Sequence, residues 1–219
     1  MLTYAIGDVH GCLALLVDLL RQIDTDAGTR PRRLVFIGDY IDRGPDSAGV
    51  IGLLRDLQDE PDADVVCLMG NHEDLLVRAL ADPDYLDNWL YNGGDTTLAS
   101  FRAPYPASLP PDAVAWVRAL PTSFEDERRC FVHAGLNPER PLSDQNDHER
   151  LWIRDPFLSS DHDFGKFVVH GHTPRQDGTP DLHRHRLNLD TAAVYGGRLT
   201  AAIFDADRDG PIGYLQASR

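Results

Sequence analysis

The chain has 219 residues, 42% of them hydrophobic, enough for a sizeable core, and its 35 acidic against 21 basic side chains give a formal charge of -14 with histidine neutral. That excess argues against tight sequence-independent nucleic-acid binding, which needs Lys and Arg to neutralise phosphates, but leaves phosphate chemistry open because bound divalent cations reverse the local field. Cys12, Cys67 and Cys130 sit among apolar neighbours without CxxC spacing, which argues against a closed disulfide framework and for buried thiols in a reduced, cytoplasmic setting.

Taken in chain order, the first strand-length apolar run is Leu2 to Ile6. Its start lacks the basic residues of a secretion signal, and no apolar stretch is long enough to span a bilayer, so neither export nor membrane insertion is expected. The run ends in Gly7-Asp8-Val9-His10-Gly11. A helix follows over Leu13 to Ile23, with Leu13, Leu16, Val17 and Leu20 on one face. The second run, Leu34 to Ile37, ends in Gly38-Asp39-Tyr40-Ile41-Asp42-Arg43-Gly44. Ala48 to Leu57 reads as a second helix, with Val50, Leu53, Leu54 and Leu57 aligned. A third run, Val65 to Met69, ends in Gly70-Asn71-His72-Glu73. This β-α-β-α-β order predicts parallel strands joined by right-handed crossovers.

Glu73 to Leu120 reads as mainly helical, interrupted by Pro104, Pro106, Pro110 and Pro111, with Asp112 opening a helix that carries Val114, Trp116 and Val117. Strands then return: Cys130 to Val132 before His133-Ala134-Gly135, and Phe167 to Val169 before His170-Gly171-His172-Thr173-Pro174. Leu187 to Leu189 and Leu199 to Phe204 complete the set. With no repeat or linker, one α/β domain over 1–219 with a helical insertion at about 74–122 is expected.

In open α/β sheets, ligands gather beyond the carboxyl ends of strands. Singly, an Asp or Asn there is an ordinary turn former, and a lone His is more often a hydrogen-bonded core residue. Their recurrence at successive strand ends, each beside a glycine that permits close backbone approach, is not explained that way. Mixed carboxylate, imidazole and amide donors suit Mn, Fe or Zn, whereas structural zinc favours cysteines. One carboxylate shared between two ions holds them roughly 3.5–4 Å apart.

The motifs GDVHG, GDYIDRG, GNHE, His133-Ala134-Gly135 and GHTP resemble those of the phosphoprotein phosphatase branch of the calcineurin-like metallophosphoesterases, in particular the small bacterial and bacteriophage-lambda-type serine/threonine phosphatases. The resemblance runs from Asp8 to about Phe204. It takes in Asn92-Gly93-Gly94 with Thr97-Leu98, Leu151-Trp152-Ile153-Arg154, and Asp190-Thr191 through Val194-Tyr195-Gly196-Gly197. It implies a central β-sandwich flanked by helices, in place of the single sheet that the residues by themselves indicate. It also implies two divalent metal ions, with manganese the expected choice and iron or zinc as alternatives. Asp8, His10 and Asp39 would hold the first; Asp39, Asn71, His133 and His172 the second.

A metal-bridging hydroxide would then attack phosphorus in line, with His72 as general acid oriented by Asp42, and Arg43 and Arg154 gripping phosphate. For Asp42 the competing role is a pairing with Arg43 or a cap on the helix after Gly44. For Arg154 it is a surface ion pair with Asp155. The implied activity is hydrolysis of phosphoserine and phosphothreonine monoesters, phosphotyrosine being a further candidate, and the rival is a symmetrical diadenosine tetraphosphate hydrolase. The expected partner is a phosphorylated protein or small phosphoester, with no nucleic acid or membrane, and the chain is expected as a monomer or weak oligomer. Of the remaining polar residues, His183-Arg184-His185-Arg186 reads as a solvated face, His148 and His162 as exposed, and His170 and Tyr195 as either structural or close to the site. Trp89 and Trp116 read as packing.

Overall fold

In the computed structural model, which describes residues 1–218, the first third follows the periodicity: β1 (Leu2–Ile6), α1 (Leu13–Ala27), β2 (Arg32–Phe36), α2 (Ser47–Asp59) and β3 (Val65–Cys67). β1 pairs parallel with β2, and β2 with β3. All five residues of β1 are buried, because Leu2, Tyr4 and Ile6 face the helices while Ala5 faces a second sheet. A strand covered on both faces is continuously apolar rather than alternating. Asp46 caps α2 by accepting from Gly49 N at 2.8 Å.

After β3 the chain runs through a helical stretch of α3 (Asn71–Ala81), α4 (Leu86–Trp89), a wide turn over Leu90–Gly94, α5 (Asp95–Phe101) and α6 (Pro111–Ala119). Pro111 occupies the first turn of α6, where its missing N–H costs nothing, and Asp112 sits beside it. The chain continues through β4 (Ser123–Glu125), β5 (Arg129–Val132), α7 (Asp147–Trp152), β6 (Phe167–His170), β7 (Asp181–Leu182), β8 (Arg186–Asn188), β9 (Leu199–Phe204) and β10 (Gly213–Ala217).

The strands form two five-stranded sheets, ordered β10-β9-β1-β2-β3 and β4-β5-β6-β8-β7. Ala5, Val35, Ile37, Ala202 and Phe204 of the first pack against Phe131, Phe167, Val169, Leu187 and Leu189 of the second. The single-sheet expectation is thereby replaced by the sandwich. Apolar strands of either sheet look alike in sequence, and only pairing decides which belong together. β4, β7 and β10 were not anticipated: two are short edge strands, and β10 exists through its antiparallel pairing with β9. β1, β2 and β3 run parallel in one sheet, and β5, β6 and β8 in the other. Each set therefore delivers its carboxyl-end loops to one side, and the two sides meet. Among the described residues no helix is long and apolar enough to cross a membrane.

Candidate metal centre

The loops after these strands bend sharply. Among the described residues, five of the eight non-glycine residues with positive φ are His10, Asp39, Asp42, Arg43 and His172, at 44°, 54°, 70°, 67° and 65°. Each costs on the order of 1–2 kcal/mol, so the strain collects where the metal-compatible side chains lie. Neighbouring glycines leave room for those chains: a Cβ on Gly171 would stand 2.0 Å from Asp8 Oδ1, and one on Gly70 2.2 Å from Asp39 Oδ1.

Asp39 occupies the middle. His10 Nε2 lies 3.4 Å from its Oδ2 and His133 Nε2 3.4 Å from its Oδ1. Backbone carbonyls fix both imidazole tautomers, since His10 Nδ1 donates to Ile41 O and His133 Nδ1 to Ile37 O, each at 2.9 Å. Both Nε2 lone pairs therefore point at the Asp39 cluster, with the second nitrogen anchored as in metal-ligating histidines. Asn71 Oδ1 is 2.9 Å from His133 Nε2 and 2.7 Å from His172 Nδ1. Asp8 comes from the loop after β1, its Oδ2 accepting from His172 N at 3.0 Å.

Among the described residues, ligand-type atoms come within 4.8 Å of one another in two buried groups, His10 with Asp39 and His72, and Asp39 with His133 and His172. Asp39 belongs to both. The expected first set named Asp8 where this spacing has His72, but His72 also engages Asp42 through Nδ1 at 2.8 Å.

The donor chemistry fits divalent cations. With Nδ1–H committed to Ile37, the approach of His133 Nε2 to Asn71 Oδ1 sets two lone pairs against each other, and a cation there relieves the conflict. Burial pushes the His10 imidazole down to about 3 and lowers His133 and His172 as well, keeping these rings neutral and able to coordinate. At Asp39 burial opposes the anion, but His133, His72 and His10 outweigh it and hold the carboxyl well below its usual range. Asp8 is pushed well up by burial, then by Asp190 and Asp39, as expected of carboxylates gathered without a counter-ion.

Asp42 neither pairs with Arg43 nor caps α2, which Asp46 does. It is fully buried and takes His72 Nδ1 at 2.8 Å, Trp89 Nε1 at 3.0 Å and Thr97 Oγ1 at 2.6 Å. Thr97 Oγ1 also accepts from Asp42 N at 2.9 Å. Burial disfavours charged His72, but Asp39 and Asp42 overcome this and raise its pKa, while its Nε2 is buried without a hydrogen-bond partner, 4.0 Å from Asp39 Oδ2. Trp89 is thus more than the packing expected of it. A buried indole N–H needs an acceptor, which was the available signal.

Arg43 is half-buried, with Nη1 2.8 Å from His10 Nε2 and its guanidinium 5.7 Å from the ring of exposed Tyr195. Its backbone N donates to Gly93 O at 3.3 Å. Arg154 is exposed just past α7, within electrostatic reach of His172 and Asp190 but not in the cluster. Trp152 sets its ring edge-on to His172 at 6.3 Å, and exposed His148 stacks on it at 6.4 Å. His162 is exposed, as expected, and Trp116 packs on Tyr40 at 5.6 Å. His170 is buried outside the cluster, beside Phe157 at 5.0 Å. The solvated-face expectation fails for Arg186, which is buried as β8 begins and donates to Leu158 O at 2.8 Å. His183 and Arg184 are exposed. All three cysteines are buried and form no disulfide. Asp190, absent from the expected set, is buried near Asp8 and pushed up to about 7 by burial, with Asp39 adding to the shift.

The family model described as calcineurin-like phosphoesterase matches residues 1–204. Serine/threonine-protein phosphatase 1 of Salmonella typhimurium is 31% identical over 214 residues, covering 91% of this chain and 90% of that protein. The asymmetrical bis(5'-nucleosyl)-tetraphosphatase PrpE of Oceanobacillus iheyensis is 28% identical over 225 residues, covering 91% and 87%. A crystal structure of a candidate diadenosine tetraphosphatase superposes with a TM-score of 0.73 at 28% identity, covering 99% of this chain and 93% of that one.

Proposed function

Because the chain belongs to the calcineurin-like phosphoesterase family, whose members are metal-dependent hydrolases of phosphoesters, we propose that it removes phosphate from phosphoserine and phosphothreonine in proteins. The observation that carries this reading is the His72–Asp42 pair beside Asp39, with His72 Nε2 4.0 Å from Asp39 Oδ2 and without a hydrogen-bond partner, and Asp42 held by three donors. An alkoxide leaving group requires a proton, and a paired imidazole supplies one near neutral pH.

Asp8, His10 and Asp39 would hold one ion, and Asp39, Asn71, His133 and His172 the other, with manganese the metal to try first. Such ions neutralise phosphate charge and lower the pKa of water. The chain's own residues do the rest. Ile41 and Ile37 carbonyls keep His10 and His133 in the tautomer that offers Nε2. Asp42 holds the proton-bearing form of His72, which releases the proton from Nε2 to the departing seryl or threonyl oxygen. Arg43 exchanges its contact on His10 for phosphate oxygens, which its planar fork binds in pairs. Arg154 adds positive charge at the rim.

A second reading, cleavage of dinucleoside tetraphosphates, is favoured by the full-length likeness to PrpE. Metal-stripped protein resupplied with manganese would be given a phosphoserine peptide and diadenosine tetraphosphate in parallel. Manganese-dependent release from the peptide alone supports the phosphatase. Preferential cleavage of the dinucleotide rejects it in favour of the second reading.

A further inference from the structure

Glu73 is fully buried at the start of α3, yet no step above uses it. Its carboxylate accepts four backbone N–H groups. Oε2 takes Asp39 N and Gly70 N, both at 2.9 Å, and Oε1 takes Tyr40 N at 2.9 Å and Ile41 N at 3.3 Å. One side chain thus ties the loop after β2 to the loop after β3. The tie is completed in the other direction by His72 N, which donates to Asp39 Oδ1 at 3.0 Å. Buried N–H groups must find acceptors, and three consecutive ones at Asp39, Tyr40 and Ile41 find theirs here. Asp39 itself sits in the left-handed region at φ 54°, a conformation an Asp keeps only when its surroundings over-determine it.

We propose that Glu73 is the positioning residue that sets Asp39 as the shared ligand of both metal sites before any metal binds. It clamps the Asp39 loop against Asn71 and His72. This rests on the assignment of Asp39 to both sites made above. A carboxylate suits the task because all four contacts are donors. In Glu73→Gln the shape is kept, but the amide NH2 opposes two N–H groups whichever way it is turned, so the loop must shift.

The test is calorimetric titration of manganese into metal-stripped wild type, Glu73→Gln and Asp39→Asn, alongside their thermal melts. Loss of a hydrogen-bonded support behind a metal ligand typically lowers affinity about 10–100-fold, and that loss is expected at both sites of Glu73→Gln. A merely structural role would lower the melting temperature and leave the affinity of the folded variant unchanged. That outcome, with binding still lost in Asp39→Asn, overturns the clamp alone. Absence of manganese binding by wild type overturns the metal assignment and the clamp with it. If Glu73→Gln does not fold, amide hydrogen exchange on metal-stripped wild type decides. Protection of Asp39, Tyr40, Ile41 and Gly70 amides supports a preset clamp, and free exchange until manganese is added refutes it.

Discussion

Trp89→Phe removes one donor from Asp42 and little else. The indole is fully buried, with Nε1 at 3.0 and 3.2 Å from the two Asp42 oxygens. Its ring lies so close to Gly94 that a Cβ there would stand 2.5 Å away. Phenylalanine leaves an apolar ring in the pocket, while Asp42 keeps His72 Nδ1 at 2.8 Å and Thr97 Oγ1 at 2.6 Å. A hydrogen bond to a charged acceptor contributes about 1.5–3 kcal/mol, and the small void adds about 1 kcal/mol, so stability should fall by roughly 2.5–4 kcal/mol. If the whole hydrogen-bond share is felt by the Asp42–His72 pair in the transition state, kcat drops by about 10–150-fold at 1.36 kcal/mol per decade. The fall should appear on a phosphoserine peptide, whose leaving oxygen needs the proton. It should be much smaller on p-nitrophenyl phosphate, whose leaving group does not. In a His72→Asn background the substitution should cost nothing further, because both changes act through one proton donor. Equal losses on the two substrates, or additive losses in the double variant, would refute this coupling.

Asp39→Asn should weaken manganese binding at both sites together; loss at one alone in a titration rules out the shared carboxylate. Arg43→Ala should weaken inhibition by inorganic phosphate by on the order of tenfold while metal content is unchanged, and an unaltered inhibition constant counts against the phosphate grip. Manganese added to stripped protein at 100 times the dissociation constant should stabilise it by about 2.7 kcal/mol per site, or roughly 5–11 °C in melting temperature, and a flat melting curve would reject metal binding to the native state.

Much of this centre is legible in the motifs alone. The strand ends announce themselves because a strand buried on both faces reads as an unbroken apolar run. The loops after them carry Asp, Asn and His beside glycines that sharp bends require. Both are local effects, written within a few residues. In the folded chain Asp39, His133 and His172 come together and His72 reaches Asp42, and all five belong to those motifs. Even the exposure of His148 and His162 follows from their polar neighbours.

Other features depend on partners far along the chain. β4 and β7 are too short to stand out, and they exist through ladder bonds to β5 and β8. Arg186 looks solvated among His183, Arg184 and His185, but the fold brings the Leu158 carbonyl over it. Trp89 reads as an apolar core residue until α4 is laid against the loop after β2 and its N–H finds Asp42. Glu73 reads as one more acidic residue opening a helix until the Asp39, Tyr40 and Ile41 amides turn towards it. Local sequence determined the metal-compatible side chains at the strand ends and the bends that present them, because these follow from residue type and backbone sterics over a few positions. Tertiary structure alone decided which buried polar groups satisfy one another, because a hydrogen bond between residues dozens of positions apart forms only once packing has excluded water from both.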